Sequence, residues 1–178
     1  MIFVGVDPGI SGGIACLDTE KNFLWAVEMP VNKNQKTKKS EYDISRIATL
    51  LRAAKPDHVC LEAVHSMPGQ GVSSTFLFGK GFGILLGVIG TLDIPLTLVP
   101  PRVWKKKYLL GSDKNVSRQR ATEFFPACSN FWKLKKHDGL AEAALLTHFA
   151  CTTTLDLIMP GDIWELYQIE VNKRGRKK

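Results

Sequence analysis

The apolar run over residues 2–6, IFVGV, ends on a single acid, Asp7, and passes at once into a turn that holds Pro8, Gly9, Ser11, Gly12 and Gly13. An apolar run this short and this continuous predicts a strand buried on both faces. Such a strand tolerates a charge only where a partner compensates it. The device recurs: DHVCLEAV predicts a second buried strand and carries Glu62. A fold that sets these two strands side by side must accommodate two carboxylates at one edge of its sheet.

The rest of the chain supplies the frame. MIFVGVD, GGIACLD and NFLWAVEMP follow one another at hairpin spacing, with residues 18–22 as the second turn, and predict three antiparallel strands. VNKNQKTKKS carries four lysines and reads as an exposed loop. SEYDISRIATLLRAAKP predicts a helix with Ser40 as N-cap and Asp43 at capping-box distance. Its apolar face is Ile44, Ile47, Leu50 and Leu51, and Pro56 follows its end. Beyond the Glu62 strand and the loop HSMPGQG, a helix is expected over residues 73–92, then a short strand in IPLTLV. PPRVWKKKYL opens with prolines suited to a helix N-terminus. SDKNVSRQRATEFFP predicts a basic amphipathic helix that stops at Pro126. KKHDGLAEAALLTHFA predicts the last strong helix, with Leu140, Ala144, Leu145 and Phe149 on its apolar side, and GDIWELYQIE a further one. Helices that follow the later strands predict an α/β fold, a mixed sheet covered on both faces.

Composition narrows the class. A chain of 178 residues suits one domain with a full core. At 44% hydrophobic and 23% charged residues it is a folding sequence, not a disordered one. The net charge of +7 leans toward a polyanionic partner. Cys16, Cys60, Cys128 and Cys151 show no C-x-x-C spacing, which predicts small core residues in a reducing compartment, not a disulfide frame or zinc site. The longest apolar stretch, GFGILLGVIGTL, is about half of the ~20 residues a membrane span needs, and no signal peptide is recognised. The expected setting is therefore cytoplasmic, with no membrane partner.

Two more acids, Asp138 and Glu142, lie four apart on the last helix and share a face beside its apolar side. If the strands of Asp7 and Glu62 run parallel and adjacent, both acids emerge at the edge where open α/β sheets hold their ligands. Singly, each has a plainer reading: a turn-former at Asp7, a helix N-terminal acid at Asp138. Together they predict a four-carboxylate cluster, which repels itself unless cations intervene. An all-oxygen site of this kind suits magnesium or manganese, and a pair of such ions cleaves phosphodiesters in line.

VGVDPGISGGIA, HVCLEAV, GSDKNVSRQRATEFFP and KKHDGLAEAALL come in the order expected of the RuvC-like Holliday-junction resolvases of the ribonuclease H-like superfamily, and the chain most resembles the variants of bacteriophages and related elements. The resemblance spans about residues 2–149. It implies a five-stranded mixed sheet flanked by helices and a nuclease domain over residues 1–155, followed by a C-terminal extension over 156–178. It also implies a homodimer that nicks opposed strands of a four-way junction with two Mg2+ ions per site, Mn2+ substituting. The nicks would leave 5′-phosphate and 3′-hydroxyl ends, and no nucleotide cofactor is involved. Asp7, Glu62, Asp138 and Glu142 take the catalytic and metal-binding roles. Two departures stand out. Bacterial members space the helix pair three apart, which here is Gly139, with His137 nearby as an assisting group by residue type. They also carry a phenylalanine three residues after the strand glutamate, where this chain has His65, with Met67 beyond.

For DNA, the expected contacts are Lys80, His65, Met67, Lys105, Lys106, Lys107, Lys114 and Arg118, with Arg120, Lys133, Lys135 and Lys136 flanking and a basic tail from Lys173 to Lys178. Gly79, Gly83 and Gly87 recur every four residues, a nearly bare helix face that predicts close approach by the protein's own sheet or by a second subunit. Other classes remain open at this stage: a flap or general branched-DNA endonuclease, a non-catalytic junction binder, and an actin-like ATP-dependent kinase, whose phosphate loop also sets an Asp before glycines.

Overall fold

The structure is a computed structural model. It describes residues 1–20, 23–36, 38–65, 69, 71–111 and 113–158, with the side chains of 23, 114 and 155–158 left aside. The expected basic tail and the GDIWELYQIE helix lie outside the described residues.

Five strands form one mixed sheet in the order β3-β2-β1-β6-β7. The strands are β1 (Ile2–Asp7), β2 (Gly13–Asp18), β3 (Phe23–Glu28), β6 (His58–Glu62) and β7 (Leu96–Val99). The first three pair antiparallel, while β6 joins β1 and β7 joins β6 in parallel. The crossover between β1 and β6 contains α1 (Ile44–Ala54), and that between β6 and β7 is α2 (Val72–Thr91). The polar stretch after β3 is more ordered than a loop. Val31–Lys33 (β4) and Ser40–Tyr42 (β5) pair as a small antiparallel ribbon.

Ser40 therefore sits in a strand and does not cap α1. Asp43 does, its Oδ1 accepting the Arg46 amide at 2.9 Å, and Lys55 ends the helix in the left-handed region. The sheet side chains alternate between two cores. Val4, Val6, Ile14, Val59 and Leu61 meet Ile47 and Leu51 of α1 and Leu85 and Ile89 of α2. Phe3, Ala15, Leu17 and Cys60 meet the opposite layer. That layer comprises α3 (Pro101–Lys107), α4 (Lys114–Phe124), a 3-10 segment over Pro126–Trp132 and α5 (Asp138–Ile158).

Helix α5 is the axis of the second core, with Leu140, Ala141, Ala143, Ala144, Leu145 and Leu146 all buried. It lies nearly against the backbone of β1. A Cβ on Gly5 would stand 2.3 Å from the Ala143 carbonyl oxygen, so only glycine permits this approach. Thr147 Oγ1 donates to the Ala15 carbonyl at 3.1 Å and fixes the helix along the sheet. All four cysteines are free, three of them buried, as their spacing implies.

α2 departs from expectation. It is a helix of 20 residues with a mean hydropathy of 1.6, long and apolar enough by composition to cross a membrane. The apolar run continues N-terminally through Val72 and Phe76 beyond the stretch read from sequence. Leu85 and Ile89 nevertheless pack into the first core, and Gly81 takes the ring of Tyr42 against its backbone. Gly79, Gly83 and Gly87 face open space, so the protein's own sheet is not what their bare stripe accommodates.

Candidate active site

Parallel pairing of β1 and β6 sets Val6 level with Leu61, both in the first core. One residue on, Asp7 and Glu62 turn to the other face, toward α5. Glu142 comes from the second turn of α5. Asp7 feels the consequences: burial first, then the charges of Glu62 and of Glu142, push its carboxyl up to about 7. Glu62, itself buried, is raised as well, mainly by burial.

The turn after β1 is made for close approach. The Gly9 amide donates to Asp7 Oδ1 at 3.2 Å, and the Gly12 amide to the Gly9 carbonyl at 2.9 Å. The first turn of α5 rests on it: a Cβ on Gly139 would meet the Ser11 carbonyl oxygen at 2.5 Å and Asp7 Oδ2 at 3.0 Å. Gly139, three before Glu142, is thus the residue packed on the Asp7 carboxylate. Asp138 heads the helix beside it. Tyr42 supports the turn from the other side, its hydroxyl donating to the Pro8 carbonyl.

Two helices hold the acids in place, through residues to which the sequence reading gave no such role. Trp104 of α3 is fully buried, and its Nε1 donates to Glu62 Oε1 at 3.0 Å. Its neighbour Lys105 reaches Glu142 Oε2 at 3.2 Å. Ser117 of α4 donates to Glu142 Oε1 at 3.1 Å. Tryptophan, serine and tyrosine in these segments carry no local signal of such a role; each is recognisable only once the strands are laid side by side.

Asp7, Glu62 and Glu142 lie near enough to act on one another's charge, with Lys105 among them, while Asp138 begins α5 one turn before Glu142. Among the described residues no three His, Cys, Asp or Glu side chains already converge as a metal cage. The donor set is nonetheless all carboxylate, with mutual repulsion strong enough to raise Asp7, and that chemistry fits a hard divalent cation. His137 is turned to Glu28, with Nε2 3.5 Å from Oε1, and Lys136 joins the same carboxylate at 3.4 Å.

The predicted DNA contacts divide. Lys106 and His65 are exposed. Lys80 is exposed on α2 at the rim of an apolar groove of about 410 Å³ shared with Ile10, Tyr42 and Phe78. Lys105 and Lys107 also have partners within the protein, Lys105 at Glu142. Lys107 donates to Thr152 at 2.7 Å and lies over the Phe149 ring. Arg118 donates to the Lys133 carbonyl and to Asn115, while Arg120 pairs with Glu123 at 2.6 Å. The Lys114 side chain and Met67 lie outside the described residues.

No protein-family model and no curated protein matches the chain. Solved structures do. RuvC of T. thermophilus in complex with a Holliday junction substrate aligns at a TM-score of 0.62 and 14% identity, over 86% of this chain and 96% of that one. Another Thermus thermophilus RuvC structure aligns at 0.58 and 15% identity, over 86% and 97%. The chain thus has the fold of RuvC, the ribonuclease H-like sheet expected from its sequence.

Proposed function

We propose that this protein is a divalent-metal-dependent endonuclease that resolves four-way DNA junctions. The observation that carries the reading is the convergence of Asp7, Glu62 and Glu142 from β1, β6 and α5, close enough for the two glutamates to raise Asp7. Carboxylates brought together at the carboxyl edge of parallel strands suit a metal that meets phosphate oxygens. The fold shared with a RuvC bound to a Holliday junction substrate supports the choice of branched DNA over other phosphodiesters.

In this reading Asp7, Glu62 and Glu142, with Asp138, hold Mg2+ or Mn2+. The metal supplies activation of water and stabilisation of the departing 3′-oxygen, leaving 5′-phosphate and 3′-hydroxyl ends. The chain's own residues do the rest. Trp104 and Ser117 fix the glutamates. Gly12 and Gly139 let the turn and the first turn of α5 close on the Asp7 carboxylate and so fix its position. Lys80 and the basic α4 neutralise flanking phosphates. Two copies joined through the open glycine face of α2 would present two such sites to a two-fold substrate.

An immobile four-way junction, incubated with the parent protein and with Asp7→Asn, in Mg2+ and in EDTA, tests the reading. Binding is expected in all four reactions, and paired nicks only for the parent in Mg2+. Binding without cutting by the parent in Mg2+, and again when Mn2+ replaces it, would make the protein architectural. Equal cutting of flaps, forks and junctions would move it to a general branched-DNA nuclease.

A further inference from the structure

Consecutive residues of a seven-residue helix take one carboxylate each. Trp104 anchors α3 in the core and holds Glu62, and Lys105 crosses that indole, 5.1 Å from its centroid, to hold Glu142. Both Glu142 oxygens are engaged: Oε2 by the ammonium at 3.2 Å, Oε1 by Ser117 at 3.1 Å and by the same ammonium at 3.4 Å. The lysine charge also reaches Glu62 and Asp7, holding each carboxyl below where burial and like charge would otherwise set it. A single ammonium thus stands among all three acids on which the proposed metal site depends.

We propose that Lys105 is a built-in counter-ion, an ammonium that holds the acids together in the metal-free protein and must give up Glu142 when a divalent cation enters. This rests on the metal-dependent reading above. The ammonium and the metal compete for the same carboxylate, and like charges at a few ångströms repel in proportion to their product. Lys105 therefore weakens metal binding in return for a metal-free site that does not fly apart. Lys106, on the same helix and exposed, makes no such contact among the described residues and serves as the control.

Mn2+ binding to the full-length protein, read by electron paramagnetic resonance, tests the competition without reference to cutting. Lys105→Met is expected to bind Mn2+ about tenfold more tightly than the parent, because one unit charge is removed beside the ion. Lys106→Met is expected to bind as the parent does. Should Lys105→Met bind Mn2+ no better than the parent, the proposal fails. A second measurement is made on the parent, with the conservative Lys105→Arg variant used only for assignment. Its lysine ammonium resonances are followed by 15N NMR, with the Lys105 signal identified by its loss in Lys105→Arg. That signal is expected in EDTA and should shift or vanish into solvent exchange at saturating Mg2+. An unmoved signal in a protein that does bind Mg2+ overturns the counter-ion alone. A parent that binds neither ion overturns the metal-dependent reading itself, and this inference with it.

Discussion

Asp7 carries the tension of the site. Its carboxyl is pushed up to about 7 in the folded protein, whereas an unfolded chain would hold it near 3.8. The native state then keeps its proton where the unfolded state has lost it. The Asp7 contribution to metal-free stability is accordingly fullest below about pH 4, falls as the pH rises toward 7, and is level above that. Thermal melts in EDTA should show a steeper decline in the parent than in Asp7→Asn, where only the raised Glu62 remains, and Asp7→Asn is expected to be the more stable protein at pH 8 by on the order of a few kcal/mol. Metal reverses the order, since it binds only the ionised site. Gly139 sets a second residue-level limit. An alanine there would press its Cβ to 2.5 Å from a carbonyl oxygen of the turn and to 3.0 Å from Asp7 Oδ2. Gly139→Ala is expected to cost about 1–3 kcal/mol in denaturant melts, the range for overpacking a close contact, and to abolish metal binding by displacing Asp7.

Among the elements, α3 does the most with the least length. Its buried tryptophan is both a core residue and the hydrogen-bond partner of Glu62. Trp104→Phe keeps most of the apolar volume and loses the N–H, so it is expected to lose about 1–3 kcal/mol in urea at pH 8, as for a buried carboxylate left without its donor. The loss should shrink in saturating Mg2+, which would satisfy the same oxygen. The five strands of the main sheet and the five helices were legible from local sequence because each has its own apolar period and punctuation, whereas the polar β4–β5 ribbon read as a loop. What was not legible arises between elements. Ser40 looks like a cap because it precedes a helical pattern by the usual spacing, but it pairs across to Lys33, and the cap passes to Asp43. The acids were readable as strand and helix termini. Their restraints were not, because Trp104, Lys105 and Ser117 reach Glu62 and Glu142 across sequence separations of 42, 37 and 25 residues.

At the scale of the whole molecule, α2 carries an apolar face that the described residues leave uncovered. Val72, Phe76 and Leu77 are exposed, at 88%, 70% and 44%, and Gly79, Gly83 and Gly87 have no neighbour within contact distance. Glycines in a helix interior each cost about 1 kcal/mol relative to alanine, and nothing among the described residues offsets it at these three. A second copy packed face to face would offset it, and the two-fold so generated would set two acid clusters on one junction. Gly83 separates this from a solvent-exposed helix. In a protein that works as a monomer, Gly83→Ala stabilises by about 0.5–1 kcal/mol and Gly83→Leu is tolerated, with both cutting junctions as the parent does. In a dimer joined here, Gly83→Leu holds the backbones apart. The expected result by sedimentation is a dimeric parent and a monomeric Gly83→Leu variant with its melting temperature intact when diluted. On a junction carried in a supercoiled plasmid, the parent should then linearise the circle through paired nicks within one binding event, and the variant should leave nicked circles.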